Sequence, residues 1–479
     1  MHLQVDMLVI IPVAGALLAA LAGKRARIVA LLTAVLTCGV FASLASLGAF
    51  AGEIVTGASG GHGVWSLTLD GLSAPLVGLT AFLAVVAVLA SWDVTDRPGA
   101  HHALLLFLVA AVMGVFLAEH VFLFYVFWEA VLIPMFFLIG IWGHENRKHA
   151  AMKFFVYTFA GSVFMLVGLL VATMATGAYT MTDLSAAASG VPSRIVFPLL
   201  LIGMFVKIPV VPLHTWLPDA HVEAPTAGSI LLAGVLLKMG GYGLMRVAMP
   251  TCPIEWSMPA SQAVFVALGI IGIVYGAAMA LVQTDLKRLV AYSSVAHMGF
   301  VLVALSVGTP AALGAAMLVM VSHGVVAGLL FLLVGQLYER THTREIARFG
   351  GLGEVVPGWS TAFTFAALAS LGLPGLSGFP GEFLVIVEAW QKWQWWIAPA
   401  TIGLVLAAAY NLRAVRAVVH GPVAEEFARI RDVSAIEWAP VLLLSASILA
   451  LGIWPRIVLE MSSGAVHLLA IVLGSGVTR

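Results

Sequence analysis

Apolar runs of 18 or more residues recur from one end of the chain to the other, separated by short polar breaks. Each run matches the roughly 20 residues that a helix needs to cross the hydrocarbon of a bilayer. Runs and breaks together predict about fourteen spans, beginning near residues 7, 28, 73, 103, 120, 152, 195, 225, 261, 289, 311, 358, 396 and 437. The predicted fold is an all-α integral membrane protein. The first run, from about Leu8 to Ala22, is short, but no basic residues precede it and no convincing cleavage site follows, so it reads as a span rather than a signal peptide.

The breaks carry a second pattern. Spans from about 103 to 248 form a block of five, and those from about 261 to 420 form another. Two blocks with an odd number of spans, placed in tandem, lie upside down to one another. The fourth span of the first block is interrupted by Pro209, Pro212 and Pro218. The fourth span of the second is interrupted in "LGLPGLSGFPGEF", at Pro374, Gly375, Gly378 and Pro380. Paired Gly/Pro-broken spans at matching positions of inverted halves point to an ion or substrate path, because open backbone at membrane depth is tolerated only where protein or water satisfies it. The division is thus 1–100, three N-terminal spans; 101–250 and 255–422, the two repeats; and 430–479, a last span and a tail.

Composition agrees: of 479 residues 61% are hydrophobic and 10% charged, with a mean hydropathy of +1.06, against about 25% charged in soluble domains. No stretch is polar enough for a separate soluble domain. Cys38 and Cys252 lie far apart and offer no disulfide framework, zinc spacing or iron–sulfur cradle. Any redox chemistry belongs elsewhere.

Charge sets the topology. With both termini outside, the inner loops collect Lys24, Arg25, Arg27, Arg97, Arg147, Lys148, Lys153, Lys287, Arg288, Arg340, Arg344, Arg348, Arg413, Arg416, Arg429 and Arg431. The outer side keeps Arg194, Arg246, Lys392, Arg456 and Arg479. Sixteen against five is a strong positive-inside bias. Two lysines, Lys207 and Lys238, fall within spans, where an ionisable group is costly and usually functional. Either could instead snorkel to an interface.

A carboxylate, Glu129, stands in the fifth span, "FLFYVFWEAVLIPMFFLIG", and must pair, hydrate or take up a proton. Lys207, in the same repeat, is its expected partner. His297 and His323 lie in the tenth and eleventh spans and can relay protons near neutral pH, although a buried histidine also serves as a hydrogen-bonded structural group. Glu382 stands at the second break. In chain order the set reads Glu129, Lys207, Lys238, His297, His323, Glu382, a series of titratable sites in which charging one shifts the next. Glu119, Glu388 and His120 sit near span ends and read as interfacial; His101, His102, His144 and His149 read as inner loops or their edges.

The stretch "FVKIPVVPLHTWLPDAHVEAPTAGSILLAGVLLKMGGYGLMR", with "FWEAVLIPMFFLIGIWG", "KFFVYTFAGSVFML", "DLKRLVAYSSVAHMGFV", "SHGVVAGLLFLLVGQLYERTHTR" and "GLPGLSGFPGEF", resembles the M subunits of proton-translocating NADH-quinone oxidoreductase, respiratory complex I, from about residue 65 to "LGIWP" at 451–455. The resemblance implies an antiporter-like fold and a proton-pumping subunit of the enzyme's membrane arm, with repeat 101–250 as input and repeat 255–422 as output half-channel. Carried onto this sequence it marks the same six residues, Glu129, Lys207, Lys238, His297, His323 and Glu382. A glutamate at the twelfth-span position separates M from the sister L and N subunits, where lysine is typical. The chain also ends soon after its fourteenth span, without the long lateral helix of L.

That likeness further implies no cofactor or metal in this chain, with flavin, iron–sulfur clusters and quinone in partner subunits. The implied partners are neighbouring L-type and N-type subunits, membrane lipids, protons and internal water, with no nucleic acid. The location is the bacterial cytoplasmic membrane, multi-pass, with the mitochondrial inner membrane as the lesser alternative. Other readings are a multi-subunit cation/proton antiporter, a proton-pumping membrane hydrogenase or plastoquinone-reducing relative, and a haem-bearing cytochrome.

Overall fold

Within hydrocarbon every peptide group must find its partner inside the protein, and a helix achieves this residue by residue. The computed structural model describes residues 2–46, 55–56 and 63–477. Among these the only strands are β1 (Val55–Thr56) and β2 (Thr68–Leu69), paired antiparallel. Twelve helices among the described residues are long and apolar enough to cross a membrane.

Three helices open the chain: α1 (His2–Leu21), α2 (Ala26–Ser46) and α3 (Ala74–Ala90). The first repeat is α4 (Pro98–Leu117), α5 (Val121–Ala130) continued by α6 (Leu132–Trp142), α7 (Arg147–Thr176), the half-helices α8 (Ser193–Lys207) and α9 (Trp216–Glu223), and α10 (Thr226–Thr251). The second is α11 (Pro259–Val282), α12 (Leu286–Val307), α13 (Pro310–Thr341), the half-helices α14 (Pro357–Ser370) and α15 (Gly378–Trp393), and α16 (Ala398–Val419). With α17 (Ala435–Ile453) these make fourteen crossings, two of them broken.

Both breaks have the same design. Each second half-helix carries proline at its third position, Pro218 in α9 and Pro380 in α15. The missing N–H costs nothing there, since first-turn amides have no acceptor within the helix. Pro218 and Pro380 therefore begin the resumed helix rather than interrupt the span. The Trp216 indole N–H donates to the Val206 carbonyl at 2.9 Å, satisfying an oxygen freed at the end of α8. At the second break Gly372 and Gly375 take φ of 82° and 93°, open to glycine but strained for other residues.

The basic ends of the crossings lie together. Arg27 bonds the Trp92 carbonyl, Trp142 the Asp96 carbonyl, Arg344 the Val222 carbonyl and Arg340 the Arg431 carbonyl, so the ends at 20–27, 91–99, 142–147, 219–224, 282–288, 340–351 and 413–432 share one face. On the opposite face Arg246 bonds Asp70 and Glu119, and Thr309 bonds Glu388. Arg479 lies outside the described residues.

The stretch expected as a tail is helical: α18 (Arg456–Val477) buries a stripe of Val458, Ser462, Val466, Leu469 and Leu473. Its Leu459 packs on Gly314, its Met461 carbonyl on Gly71, and its Leu473 on Gly308, while the Leu473 carbonyl accepts from the Ser257 hydroxyl at 3.2 Å. All four partners belong to the face opposite the basic one. A helix whose two ends touch the same face lies across it, so α18 adds no crossing although its apolar length would allow one.

Candidate functional site

Lys238 is fully buried in α10, between two stretches of π-helix at Leu232–Leu236 and Leu244–Ala248. Such widened turns leave carbonyls short of a partner. The Lys238 ammonium uses one, donating to the Ala233 oxygen at 2.5 Å, and its Nζ lies 2.6 Å from His323 Nδ1 on α13. The His323 and His297 ring centroids are 5.5 Å apart, and His297 Nδ1, on α12, lies 2.5 Å from Glu382 Oε1 in the first turns of α15. All four side chains are buried. Between the histidines and Glu382 is a cavity of about 20 Å³ lined also by Ser293, Ser322 and Ser370, which is room for a water molecule. Four of the six expected residues thus form one row that crosses from the first repeat into the second.

The other two stand apart from that row. Lys207 closes α8, where the negative end of the helix dipole favours a cation. Among the described residues its Nζ has no hydrogen-bond partner, and it lies 5.7 Å and 5.8 Å from the centres of the Trp128 and Phe154 rings, within cation–π range. Glu129 is half-buried on α5 with one carboxyl oxygen unpartnered among the described residues, and the groups acting on it are Ser162, Lys207 and Tyr125. Among the described residues no ion pair within 4.0 Å joins Glu129 to Lys207, so the expected pair is an electrostatic neighbour rather than a contact. Lys207 approaches the row through backbone packing: a methyl added to Gly240 would meet Ile208 N at 2.6 Å and the Met204 carbonyl at 2.8 Å.

Several buried groups escape a reading for isolated charges. His221 on α9 is fully buried, stacks on Phe331 at 4.4 Å between centroids, and finds no hydrogen-bond partner for either ring nitrogen among the described residues. It lies in electrostatic range of Lys238, Lys287 and His323. Lys287, assigned from sequence to a loop, is buried and donates to the Ala224 carbonyl at 2.5 Å. With Arg344 on the Val222 carbonyl and the His144 amide on the Glu223 carbonyl, it caps α9 at its negative end. Asp219 on the same half-helix is held by Lys153 at 2.6 Å and Arg288 at 3.4 Å. Burial, then the charges of Lys287 and Arg344, push the His144 imidazole down to about 3.

On the opposite face Arg246 bridges Asp70 at 2.5 Å and Glu119 at 2.7 Å. Burial alone would push the Asp70 carboxyl up, but Arg246 and Ser73 more than offset it and hold it below the usual carboxylate range. Glu119, expected at an interface, is buried in this cluster and accepts from the Thr182 amide and hydroxyl. Among the described residues no group of three or more His, Cys, Asp or Glu could hold a metal ion.

A family model described as "NADH:quinone oxidoreductase/Mrp antiporter, TM" matches residues 118–407, from the start of α5 into α16, and so takes in all six residues of the expected set. NADH-quinone oxidoreductase subunit M of Pseudomonas aeruginosa is 44% identical over 416 residues, which is 84% of this chain and 81% of that protein. This chain belongs to the subunit M family of NADH-quinone oxidoreductases. The subunit M of Escherichia coli K12 is 42% identical over 416 residues, 84% of this chain and 81% of that one. Among solved structures, a chain of respiratory complex I from Thermus thermophilus with bound NADH superposes with a TM-score of 0.88 at 31% identity, over 98% of this chain and 99% of that one. A chain of the Mrp complex from Dietzia sp. superposes at 0.87 with 20% identity, over 98% of each chain, and so shares the fold. Membership of the subunit M family makes this chain a membrane-arm subunit of NADH-quinone oxidoreductase.

Proposed function

We propose that this subunit passes protons along Lys238, His323, His297 and Glu382, with Lys207 and Glu129 setting the charge that moves them. The observation that carries this reading is the row itself: Lys238 Nζ lies 2.6 Å from His323 Nδ1 and His297 Nδ1 lies 2.5 Å from Glu382 Oε1, with a water-sized cavity beside the two histidines. Lys238 ammonium gives a proton to His323 Nδ1; His323 passes its Nε2 proton to His297 through a water in the adjoining cavity; His297 Nδ1 hands one to the Glu382 carboxylate. One passage leaves Lys238 neutral, both histidines in the opposite tautomer and Glu382 protonated; release of the Glu382 proton to the outer side, tautomer exchange at the two rings and reprotonation of Lys238 complete the cycle.

Lys207 and Glu129 are neighbours without being partners. If the two move into contact, the positive charge near Lys238 falls and its hold on a proton strengthens; if they separate, the proton is driven toward His323. Electron transfer from NADH to quinone in partner subunits, which would hold the flavin, the iron–sulfur clusters and the quinone, supplies the charge change. L-type and N-type antiporter-like subunits are the expected neighbours. The cytoplasmic membrane is the expected location, with the basic face inside and the face crossed by α18 outside.

The test is NADH-driven proton pumping and NADH-quinone reductase activity in membranes carrying Glu129→Ala or Lys238→Ala, with assembly of the complex checked in each. Assembly with both activities lost together supports a tightly coupled path through these residues. Normal reductase activity and normal pumping per electron in either variant removes that residue from the path.

A further inference from the structure

At the basic end of α16, remote from the proton row, Arg413, Arg416 and His420 recur at three- and four-residue spacing, so they share one side of the helix, and all three are exposed. With Phe349 and Pro422 they wall an open cavity of about 380 Å³. Among the described residues no carboxylate lies within 4.0 Å of either arginine, and Glu426 in the adjoining loop is engaged by Arg348 at 2.6 Å. Arg413 is fixed by one N–H donated to the Leu281 carbonyl at the end of α11, which leaves the rest of its guanidinium fork free.

From these arginines toward the membrane centre the same side of α16 is apolar and exposed: Leu412 at 52%, Ala409, Val405 at 70% and Ile402 at 53%. Ten residues of helix rise about 15 Å, which is the depth of one leaflet's hydrocarbon. A cationic fork at the interface above a leaflet-deep apolar stripe matches a molecule with a phosphate at one end and a chain at the other.

We propose that this patch binds an anionic phospholipid, with its phosphate on Arg413 and Arg416 and an acyl chain along Leu412, Val405 and Ile402. The apolar stripe argues for a lipid over free phosphate, which would use the arginines alone. Planar guanidinium groups take phosphate oxygens two at a time, and basic pockets at this membrane edge favour anionic head groups.

The experiment places the purified parent complex in phosphatidylcholine vesicles doped with photoreactive phosphatidylglycerol and maps the label by mass spectrometry. The expected result is label on peptides of α16, displaced by unlabelled phosphatidylglycerol and not by phosphatidylcholine or inorganic phosphate. Each arginine near the surface contributes on the order of a fivefold gain for anionic lipid, so Arg413→Gln/Arg416→Gln should cut the labelling about 30-fold, with reductase activity unchanged. Equal labelling by a photoreactive phosphatidylcholine, displacement by inorganic phosphate, or cross-links from this patch to a neighbouring subunit in place of lipid would each overturn the proposal. The displacement series needs only the wild-type complex, so it decides the matter even if the double variant fails to assemble.

Discussion

His297 Nδ1 and Glu382 Oε1 lie 2.5 Å apart, joining the intact helix α12 to the first turns of the resumed helix α15. A carboxylate at that point can accept a proton that a carboxamide cannot. Glu382→Gln should leave the complex assembled and lower proton pumping at least tenfold, within the range for losing a positioned proton acceptor. Glu382→Asp should retain part of the activity. Pumping assays on both variants decide it, and full pumping in Glu382→Gln would remove this residue from the path.

The separation of Glu129 from Lys207 has a measurable counterpart. In a double-mutant cycle on thermal stability with Glu129→Gln and Lys207→Met, the coupling should stay below about 1 kcal/mol, as for charges not in contact. A coupling of several kcal/mol would mean that the two are directly paired in the resting protein.

Gly240 is where α10 takes the broken end of α8 against its own backbone. The atoms that an added methyl would meet are main chain and cannot swing away. Gly240→Ala should therefore destabilise the subunit by about 1–3 kcal/mol, the usual range for overpacking. The midpoint of thermal unfolding in detergent measures it, while the same change at the open Gly39 should be nearly silent.

Arg246 neutralises two buried carboxylates at once. Arg246→Met leaves both without their cation and should cost about 3–5 kcal/mol, whereas adding Asp70→Asn to that variant should restore part of the loss. A double variant less stable than Arg246→Met would show that repulsion between Asp70 and Glu119 is not the source of the cost.

His144 gives a pH dependence with a definite sign. Its folded pKa, about 3, lies below the roughly 6.5 of an unfolded histidine. Between those values the unfolded chain binds the extra proton, so stability from this residue is present above the unfolded value and lost as pH falls. From pH 7 to 5 the wild type should lose about 1 kcal/mol more than His144→Asn, after allowance for partial exposure. Parallel stability curves for the two proteins would overturn the assignment.

The chain shows in its sequence whatever stands out against hydrocarbon. Lys207, Lys238, Glu129 and Glu382 are single charges in apolar runs, and the two Gly/Pro breaks mark α8/α9 and α14/α15 by composition alone. His221, Lys287 and Arg246 did not stand out, because each sits beside other polar residues near a predicted helix end, where a charge is ordinary. Their burial comes from helices distant in sequence, such as α13 over His221. Contacts as close as Lys238 to His323 span 85 residues, and no local pattern encodes them. The α18 helix was obscured because its stripe mixes Ser462 with Val458, Val466, Leu469 and Leu473, a rhythm that shows only against the surface it covers.

That covering helix also limits how the two repeats can move. α18 touches Gly71 ahead of α3, the end of α10, Ser257 between the repeats, and Gly308 and Gly314 in the second repeat. A carrier that works by rocking its halves must open each end of the seam in turn, and here one end is lashed shut by a single strap. Movement confined to the turning of side chains, inside a frame held by that strap, suits a proton better than anything larger.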